Sequence, residues 1–279
     1  MNLSKLLPPI SAWTPEQVRG YLRDRHPESL TLLDIRQPAE YERSHLPGAV
    51  HIPVGSLLER LGELNPGLPT IVYCSGGMLS RAAAGLLVHA GFGEVHPLRG
   101  GLDAWRGAVA EGRPEVDLLR FRQFSTPEEQ AAYAWYLEDG ARTFYAEIAK
   151  AVCDTEATAL FRELEVAEEH HQATLLAVFE GLAGAPAPAD FPHSVFPIPP
   201  EEGLMEGGLT LLEALDWTRG RPVGAILELA MTMETSALDR YLYLHRHLPE
   251  ENARRVFEVL ADEEHRHLKR LAAVLDHFL

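Results

Sequence analysis

The feature that most constrains this chain is an internal repeat of ionisable residues in its second half. Each member of the second copy lies 96 positions after its counterpart in the first. The repeated pairs are Glu138 and Glu234, Tyr145 and Tyr241, Glu168 and Glu264, and His171 and His267. Self-similarity at a constant offset indicates a duplicated structural unit, although two copies do not make a solenoid. The repeat therefore predicts two copies of one helical hairpin, with the same groups on matching faces.

The repeated carboxylates lie on apolar helical faces. At helical spacings from Glu234 the chain places Leu227, Met231, Ala237, Leu238 and Tyr241. Side chains three, four and seven positions apart share one face of a helix, so Glu234 is predicted to face a core. Buried carboxylates without partners are energetically costly, so these Glu residues require cations or protons.

The pattern of helices points to a metal centre. Two helices that each carry a Glu, and two that each carry Glu-x-x-His, are typical of di-iron and di-manganese carboxylate sites in ferritin-like bundles. Carboxylate and imidazole ligands suit iron or manganese. A single Glu-x-x-His usually belongs to a solvated helix face, but two copies in register with two further Glu residues favour a metal site.

The overall composition limits the classes of function. With 279 residues the chain is long enough for two domains with their own cores. A formal net charge of −16 argues against nucleic-acid and anionic-membrane partners, which call for basic surfaces. Cys74 and Cys153 are the only cysteines and form no disulfide framework, which indicates a reducing cytosol. No signal peptide or membrane-spanning run is found, so a cytoplasmic protein is expected.

Short apolar runs alternate with helical patterns before Pro114. The predicted strands are Leu30–Ile35, Ala49–Ile52, Thr70–Tyr73 and Glu94–Leu98. The predicted helices are 15–24, Ala39–Ser44, Ser56–Leu64, Arg81–Ala90 and Leu102–Val109. Strands alternating with helices predict an α/β domain with a mostly parallel sheet covered on both faces. Such sheets hold their sites at the carboxyl ends of the strands.

A cysteine loop follows the third predicted strand. The loop and the start of the next helix comprise Cys74, Ser75, Gly76, Gly77, Met78, Leu79, Ser80 and Arg81, with the loop ending at Leu79. The free N–H groups and dipole of a helix N-terminus favour the thiolate, the form of cysteine that attacks or carries sulfur. The glycines let backbone N–H groups turn toward an anion. A cysteine that merely packs in a strand-to-helix turn is the alternative interpretation.

Several segments in order resemble rhodanese homology domains, from about Trp13 to Pro114. These segments are Leu33–Tyr41, His45–Ala49, the cysteine loop and Leu98–Trp105. The resemblance implies sulfurtransferase chemistry, in which Cys74 takes a sulfane sulfur from a donor, holds it as a persulfide and passes it to a thiol acceptor. The six-residue loop is similar to that of the sulfur-transferring members rather than that of related phosphatases. Active members often carry Arg where this chain has Leu79, so a persulfide or protein donor is expected in preference to thiosulfate.

The sequence predicts a domain at 1–114, a linker at 115–125 and a second domain at 126–279. The second domain opens with a capping box at Thr126 and Glu129. Its predicted helices are roughly 127–151, 155–182, 222–247 and 249–278. A proline-rich stretch at 183–221, with one short helix at Leu209–Thr218, is predicted to be the long crossover of an all-α, ferritin-like four-helix bundle.

This second part resembles the rubrerythrin branch of the ferritin-like superfamily over about residues 125–279. The matching segments are Glu138–Tyr145 and Leu260–Leu268, with their repeat partners. The resemblance implies a homodimer and two iron ions per chain, with manganese as the alternative. It implies bridging by Glu168 and Glu264 within the ligand set Glu138, Glu168, His171, Glu234, Glu264 and His267. The chain lacks the Cys-x-x-Cys pairs of a rubredoxin module, so an external electron donor is expected, and Met231 stands where an extra carboxylate is usual.

The predicted function is a persulfide-carrying sulfurtransferase fused to a di-iron oxidoreductase that reacts with peroxide or oxygen. One alternative is an iron-binding, storage or redox-sensing protein in which Cys74 only docks sulfur. Another alternative treats the rhodanese-like domain as an interaction module. Tyr145 and Tyr241 either orient metal ligands or only pack in the core.

Overall fold

A computed structural model describes residues 10–23, 25, 27–112, 126–195, 203–205, 209–248, 251–275 and 277–278. The chain divides into two compact units, Met1–Arg113 and Pro114–Leu279. The predicted linker at 115–125 lies outside the described residues. The first unit is an α/β structure, and the second consists of long paired helices.

The first unit is built on a four-stranded parallel sheet. Its strands are β1 (Thr31–Asp34), β2 (Val50–His51), β3 (Thr70–Tyr73) and β4 (Val95–Pro97), in the spatial order β2-β1-β3-β4. β1 and β3 lie at the centre and are buried along their whole length. Continuous apolar runs are what a parallel sheet covered on both faces requires. The predicted parallel sheet is confirmed.

Apolar clusters cover both faces of this sheet. Leu32 and Ile71 belong to one cluster, whereas Leu33 and Val72 belong to the other. Neighbouring residues on a strand point to opposite faces, which explains the division. The helices of this unit are α1 (Pro15–Arg23), α2 (Pro38–Arg43) and α3 (Met78–His89).

Two predicted helices of this unit are wrong. The stretch 56–64 contains only short 3-10 turns, at Val54–Ser56 and Leu61–Glu63, and 102–109 contains one at Leu102–Ala104. Gly62 and Gly107 interrupt these stretches, and glycine costs about 1 kcal/mol relative to alanine inside a helix. A few correctly spaced apolar residues do not outweigh that cost.

The second unit is a bundle of two helical hairpins joined by a crossover. Its helices are α4 (Pro127–Ala151), α5 (Thr155–Ala183), a short α6 (Leu211–Thr218), α7 (Val223–His247) and α8 (Glu251–Leu275). α4 pairs with α5, α7 pairs with α8, and α5 packs against α8. The predicted helical bundle with a long crossover is confirmed. In the part of the chain that the structure describes, no helix is long and apolar enough to cross a membrane.

Polar caps fix where the bundle helices begin. Thr126 and Glu129 form the predicted capping box, each accepting the backbone N–H of the other. Asp154 accepts the N–H groups of Glu156 and Ala157 at the start of α5. These caps satisfy amides that have no partner within the helix. The short turn between α4 and α5 makes the two helices antiparallel neighbours.

The core of the bundle consists of two apolar clusters separated along the helix axes. On α4 one cluster reaches Leu137 and the other begins at Ala141, so Glu138 lies between them. On α7 the nearest members are Met233 and Ala237, on either side of Glu234. The helices therefore place a layer of ionisable residues between two apolar layers.

The described part of the crossover packs closely on α4. The N–H of Gly203 donates to the hydroxyl of Tyr136 at 3.0 Å. A Cβ at Gly140 would lie 2.6 Å from the carbonyl oxygen of Leu204 and 2.9 Å from Cγ of Met205. Gly140 is thus the position at which the missing side chain lets the crossover approach the helix.

Candidate functional site

Cys74 lies immediately after β3 and before the N-terminus of α3. Its side chain is 4% exposed, and the N–H of Gly77 donates to its Sγ at 3.1 Å. Gly77 has a φ of +85°, a conformation that other residues rarely adopt, and α3 begins at the next residue. The loop thus presents a backbone donor to the sulfur, as a sulfur that carries negative charge requires.

A second glycine segment holds this loop in place. The N–H of Leu102 donates to the carbonyl of Cys74 at 2.9 Å, and the N–H of Asp103 donates to that of Ser75 at 3.0 Å. A Cβ at Gly101, whose φ is +59°, would overlap both carbonyl oxygens. Glycine at this position therefore allows the two segments to bond directly.

The cysteine loop is shorter in the structure than the sequence predicts. It ends at Gly77 rather than Leu79, because Met78, Leu79, Ser80 and Arg81 already form the first turn of α3. Ser80 is buried and donates its hydroxyl to the carbonyl of Gly77 at 3.1 Å. The side chains of Met78 and Leu79 are exposed, at 86% and 55%. Two exposed apolar side chains therefore lie next to the cysteine loop.

A carboxylate reaches the loop from α2, the helix that follows β1. Ser75 donates its hydroxyl to Oε1 of Glu40 at 2.6 Å, and this hydrogen bond lowers the pKa of Glu40. Nη2 of Arg36 lies 2.6 Å from the carboxylate of Asp34, and both side chains are buried. The sequence motif contains these residues, but the contact between Glu40 and Ser75 becomes visible only because β1 and β3 are neighbours in the sheet.

The second unit brings the six predicted metal ligands together in a carboxylate–imidazole cluster, formed by Glu138, Glu168, His171, Glu234, Glu264 and His267. Nδ1 of His171 lies 3.0 Å from Glu168 and 3.3 Å from Glu138. Nδ1 of His267 lies 2.9 Å from Glu234 and 3.3 Å from Glu264. The two imidazole rings are 5.4 Å apart between centroids.

The ligand atoms of this cluster fall into overlapping groups, in each of which they lie within 4.8 Å of one another. One group is Glu138, Glu168, His171 and Glu264, and a second is Glu168, Glu234 and His267. A third group is His171, Glu264 and His267. Glu168 and Glu264 therefore each face both halves of the cluster.

Burial and mutual proximity shift the ionisation of these groups. Burial, and then the carboxylate of Glu138, raise the pKa of Glu168 well above its usual value of 4.5; burial and Glu234 do the same for Glu264. Burial also acts to raise the pKa of Glu138 and Glu234, but hydrogen bonds and the neighbouring imidazoles outweigh it. The pKa of both carboxyls is therefore lowered, that of Glu234 to about 2. Burial lowers the pKa of His171, but the carboxylates around it raise that pKa well above its usual value. The metal-free cluster therefore holds protons that a cation would displace.

The cluster also has carboxylate oxygens whose hydrogen bonding is incomplete. Within the described ranges, Oε1 of Glu138, Oε2 of Glu168 and Oε1 of Glu264 are buried without an aligned hydrogen-bond partner, although the latter two lie 3.0 and 3.3 Å from Nδ1 of His171. Buried polar atoms without partners are rare, because their desolvation is not repaid. Carboxylate and imidazole donors without a thiolate suit iron or manganese. The residues present therefore fit a metal site.

Two further residues contact the cluster. Tyr145 is fully buried and donates its hydroxyl to Oε1 of Glu234, so it holds a candidate ligand in place. Glu263 has an oxygen 2.9 Å from Nε2 of His171. Sequence reasoning missed Glu263 because the repeat places Ala167 at the corresponding position. Its position next to Glu264 on the same helix was the available signal.

The fold and the two sites define a two-domain protein. One domain is an α/β structure with a cysteine loop, and the other is a helical bundle with a buried carboxylate–imidazole cluster. The rhodanese-like domain model matches residues 14–108, and the rubrerythrin model matches residues 225–278, which is the second hairpin. The chain thus belongs to the rhodanese-like family through its first domain and carries a C-terminal rubrerythrin, or ferritin-like, domain.

Individual relatives cover parts of the chain. This chain is 40% identical over 80 residues to the "Putative sulfur carrier protein YrkF" of Bacillus subtilis, and the match covers 29% of this chain and 43% of that protein. It is 35% identical over 92 residues to the thiosulfate sulfurtransferase GlpE of Pseudomonas syringae, covering 33% of this chain and 83% of that protein. The crystal structure of the Alr3790 protein from Anabaena sp. is similar at 28% identity and a TM-score of 0.36, covering 40% of this chain and 90% of that one. Because these matches cover at most 40% of the chain, the activity of the whole protein is a matter for proposal.

Proposed function

We propose that this protein is a sulfurtransferase-type persulfide carrier fused to a di-iron carboxylate oxidoreductase. The observation that supports it most directly is the buried layer in which six repeat-related Glu and His side chains converge. The rhodanese-like family membership and the loop around Cys74 support the first activity. The rubrerythrin match supports the second activity.

In the first domain Cys74 is the proposed nucleophile. Its thiolate attacks the outer sulfur of a persulfide donor, R–S–SH, so that Sγ forms the new S–S bond and RS⁻ leaves. The thiolate of an acceptor then attacks the terminal sulfur, becomes a persulfide itself and returns Cys74 to the thiolate. The N–H of Gly77 stabilises the negative charge on Sγ at the start and end of this cycle.

The surroundings of Cys74 favour a persulfide over thiosulfate as the donor. Thiosulfate is a dianion, and the two exposed side chains that open α3, Met78 and Leu79, are apolar, which leaves Arg81 as the one cation of this first turn. Glu40 adds a negative charge next to the loop through its bond to Ser75. The Pseudomonas syringae relative is named a thiosulfate sulfurtransferase, which makes thiosulfate the donor to compare.

In the second domain the six ligands would hold two iron ions, with Glu168 and Glu264 shared between them and manganese as the alternative metal. Bound metal would bind and polarise peroxide or oxygen and exchange electrons with it. The two apolar clusters exclude water from the layer between them, and Tyr145 orients Glu234. Electrons would come from an external donor, because the sequence contains no paired Cys-x-x-Cys motif.

Metal analysis of protein purified without oxygen tests the metal centre. About two iron ions per chain are expected. Glu264→Ala should lose much of that iron because it removes a ligand, and the remaining carboxylates, left unneutralised, should cost the bundle much of its stability. Wild-type iron content in that variant would contradict the ligand assignment. Iron uptake without peroxide turnover, in the presence of a chemical reductant, would favour the storage or sensing alternative.

The sulfur-transfer proposal has its own test. Cys74→Ser should abolish persulfide transfer and leave the iron content unchanged. A variant that keeps every activity of the wild type would favour the interaction-module alternative. The rubrerythrin resemblance also supports a homodimer, which light scattering on metal-loaded protein would detect.

A further inference from the structure

The carboxylate of Glu263 lies behind the imidazole of His171. Its Oε2 is 2.9 Å from Nε2 of His171, the ring nitrogen opposite the one that faces the cluster. This contact is an ion pair by distance, although Nε2 has no aligned hydrogen-bond partner among the residues described. The other oxygen of Glu263 lies 3.2 Å from Nη2 of Arg266. The His171 side chain is fully buried, whereas that of Glu263 is 28% exposed.

Among the described residues, no carboxylate lies within ion-pair distance of the outer nitrogen of His267, and Glu163 interacts with this imidazole only at longer range. The residue 96 positions before Glu263 is Ala167, which has no charge to offer. In the described part of the chain, the ion pairs of His267 run through Nδ1 to Glu234 and Glu264. The repeat is therefore symmetric in the six candidate ligands and asymmetric behind the two imidazoles.

This asymmetry has a chemical consequence for metal binding. A carboxylate at the outer nitrogen of a ligating imidazole keeps the proton there, which leaves the lone pair on the inner nitrogen. It also fixes the ring orientation and makes the ligand more basic. Removal of such a partner typically weakens metal affinity about 10- to 100-fold. For His171 the inner nitrogen is Nδ1, which lies 3.0 Å from Glu168.

We propose that Glu263 is a positioning residue for His171 and makes the two metal-binding positions unequal. The position formed by Glu138, Glu168 and His171 fills first, and the position formed by Glu234 and His267 fills second. This inference rests on the proposed metal centre. It adds an order of binding that the ligand set alone does not give.

Cobalt(II) titration of the full-length, metal-free protein under nitrogen tests the proposal, with visible absorption as the spectroscopic readout. The wild type should bind cobalt in two resolved steps. Glu263→Ala should weaken the first step about 10- to 100-fold and leave the second within about twofold. Glu263→Gln, which keeps an oxygen acceptor without the charge, should restore part of the loss. Glu169→Ala is the matched control, because it removes an exposed carboxylate next to Glu168 and should change neither step.

A reciprocal variant makes the test independent of damage to the first position. Ala167→Glu places a carboxylate at the repeat-equivalent site and should tighten the second step toward the affinity of the first. The proposal is overturned if Glu263→Ala titrates like Glu169→Ala, or if it weakens both steps equally. A wild type that binds no cobalt would instead refute the metal centre itself, so the two failures are distinguishable.

Discussion

At the scale of single residues, the choice of sulfur donor by the first domain depends on the charge of the side chains beside Cys74. Leu79 is exposed in the first turn of α3, at the position where the rhodanese resemblance led us to expect arginine. A charge-assisted hydrogen bond contributes roughly 1.5–3 kcal/mol, which corresponds to about a ten- to hundredfold change in rate. Leu79→Arg should therefore raise kcat/KM for thiosulfate by about that factor and change turnover of a neutral persulfide much less. Steady-state assays with both donors at one ionic strength measure the difference.

The control for that substitution is Met78→Arg. It adds the same charge at the neighbouring exposed position, so it separates a specific anion contact from a general electrostatic effect. If the wild type already turns over thiosulfate well and Leu79→Arg changes nothing, position 79 is not an anion clamp and the donor restriction is wrong.

The ionisable residues of the cluster predict how the metal-free protein responds to pH. The folded-state pKa values of Glu168 and Glu264 are raised well above 4.5. The two carboxyl groups therefore contribute their full stabilisation below about pH 4.5, and this contribution is lost as the pH rises through the folded-state pKa values. The raised pKa of His171 acts in the same direction. The lowered pKa values of Glu138 and Glu234 act oppositely, with stability lost on acidification below 4.5. The metal-free bundle should therefore weaken as the pH rises above about 5, because the folded state gives up its extra protons, and this trend can be followed between pH 5 and pH 8.

Urea unfolding of chelated protein across this pH range measures the effect. Glu264→Gln removes one titrating carboxyl while keeping its shape, so it should flatten the dependence. Stability that rises steadily from about pH 5 to pH 8 in the chelated wild type would contradict the predicted sign.

The sequence predicts residues well where two independent patterns agree. Glu138 and Glu234 are related by the repeat and lie on apolar helical faces, and the structure buries both. Glu263 has no repeat partner, and its role follows from α8 meeting α5, which is a tertiary contact. The bond between Ser75 and Glu40 likewise requires two strands that are distant in sequence to be neighbours. Patterns along the chain cannot report such contacts.

At the scale of elements, the long bundle helices were predictable because their caps and periodicity extend over many turns. The short helices predicted at 56–64 and 102–109 were not, because glycine and tertiary contacts decide such brief stretches. The start of α3 was predicted at Arg81 and lies at Met78, since the left-handed Gly77 ends the loop early. Element type is therefore more predictable than element ends.

The contact between α4 and the crossover gives a prediction at this scale. A Cβ at Gly140 would meet the backbone of Leu204, which cannot rotate away as a flexible side chain can. Gly140→Ala should therefore destabilise the bundle by about 1–3 kcal/mol, despite the better helix propensity of alanine. Gly181→Ala in α5 is the control, since its Cβ would meet nothing within 4 Å, and it should stabilise by up to about 1 kcal/mol. Equal changes in the free energy of unfolding for the two variants would show that the crossover moves away from Gly140→Ala without loss of stability.

At the scale of the whole molecule, each unit has its own apolar clusters, and the six candidate metal ligands all belong to the second unit. A ligand that binds only the folded state stabilises it by about 2.7 kcal/mol at a hundred times its Kd. Metal should therefore raise the unfolding temperature of the bundle and leave that of the rhodanese-like domain unchanged. Differential scanning calorimetry of chelated and metal-loaded protein should show two transitions, of which one shifts. Glu264→Ala should remove the shift, and Cys74→Ser should retain it. A single transition that moves as a whole would instead show that the two domains unfold together, so that loading the metal centre also stabilises the domain that carries Cys74.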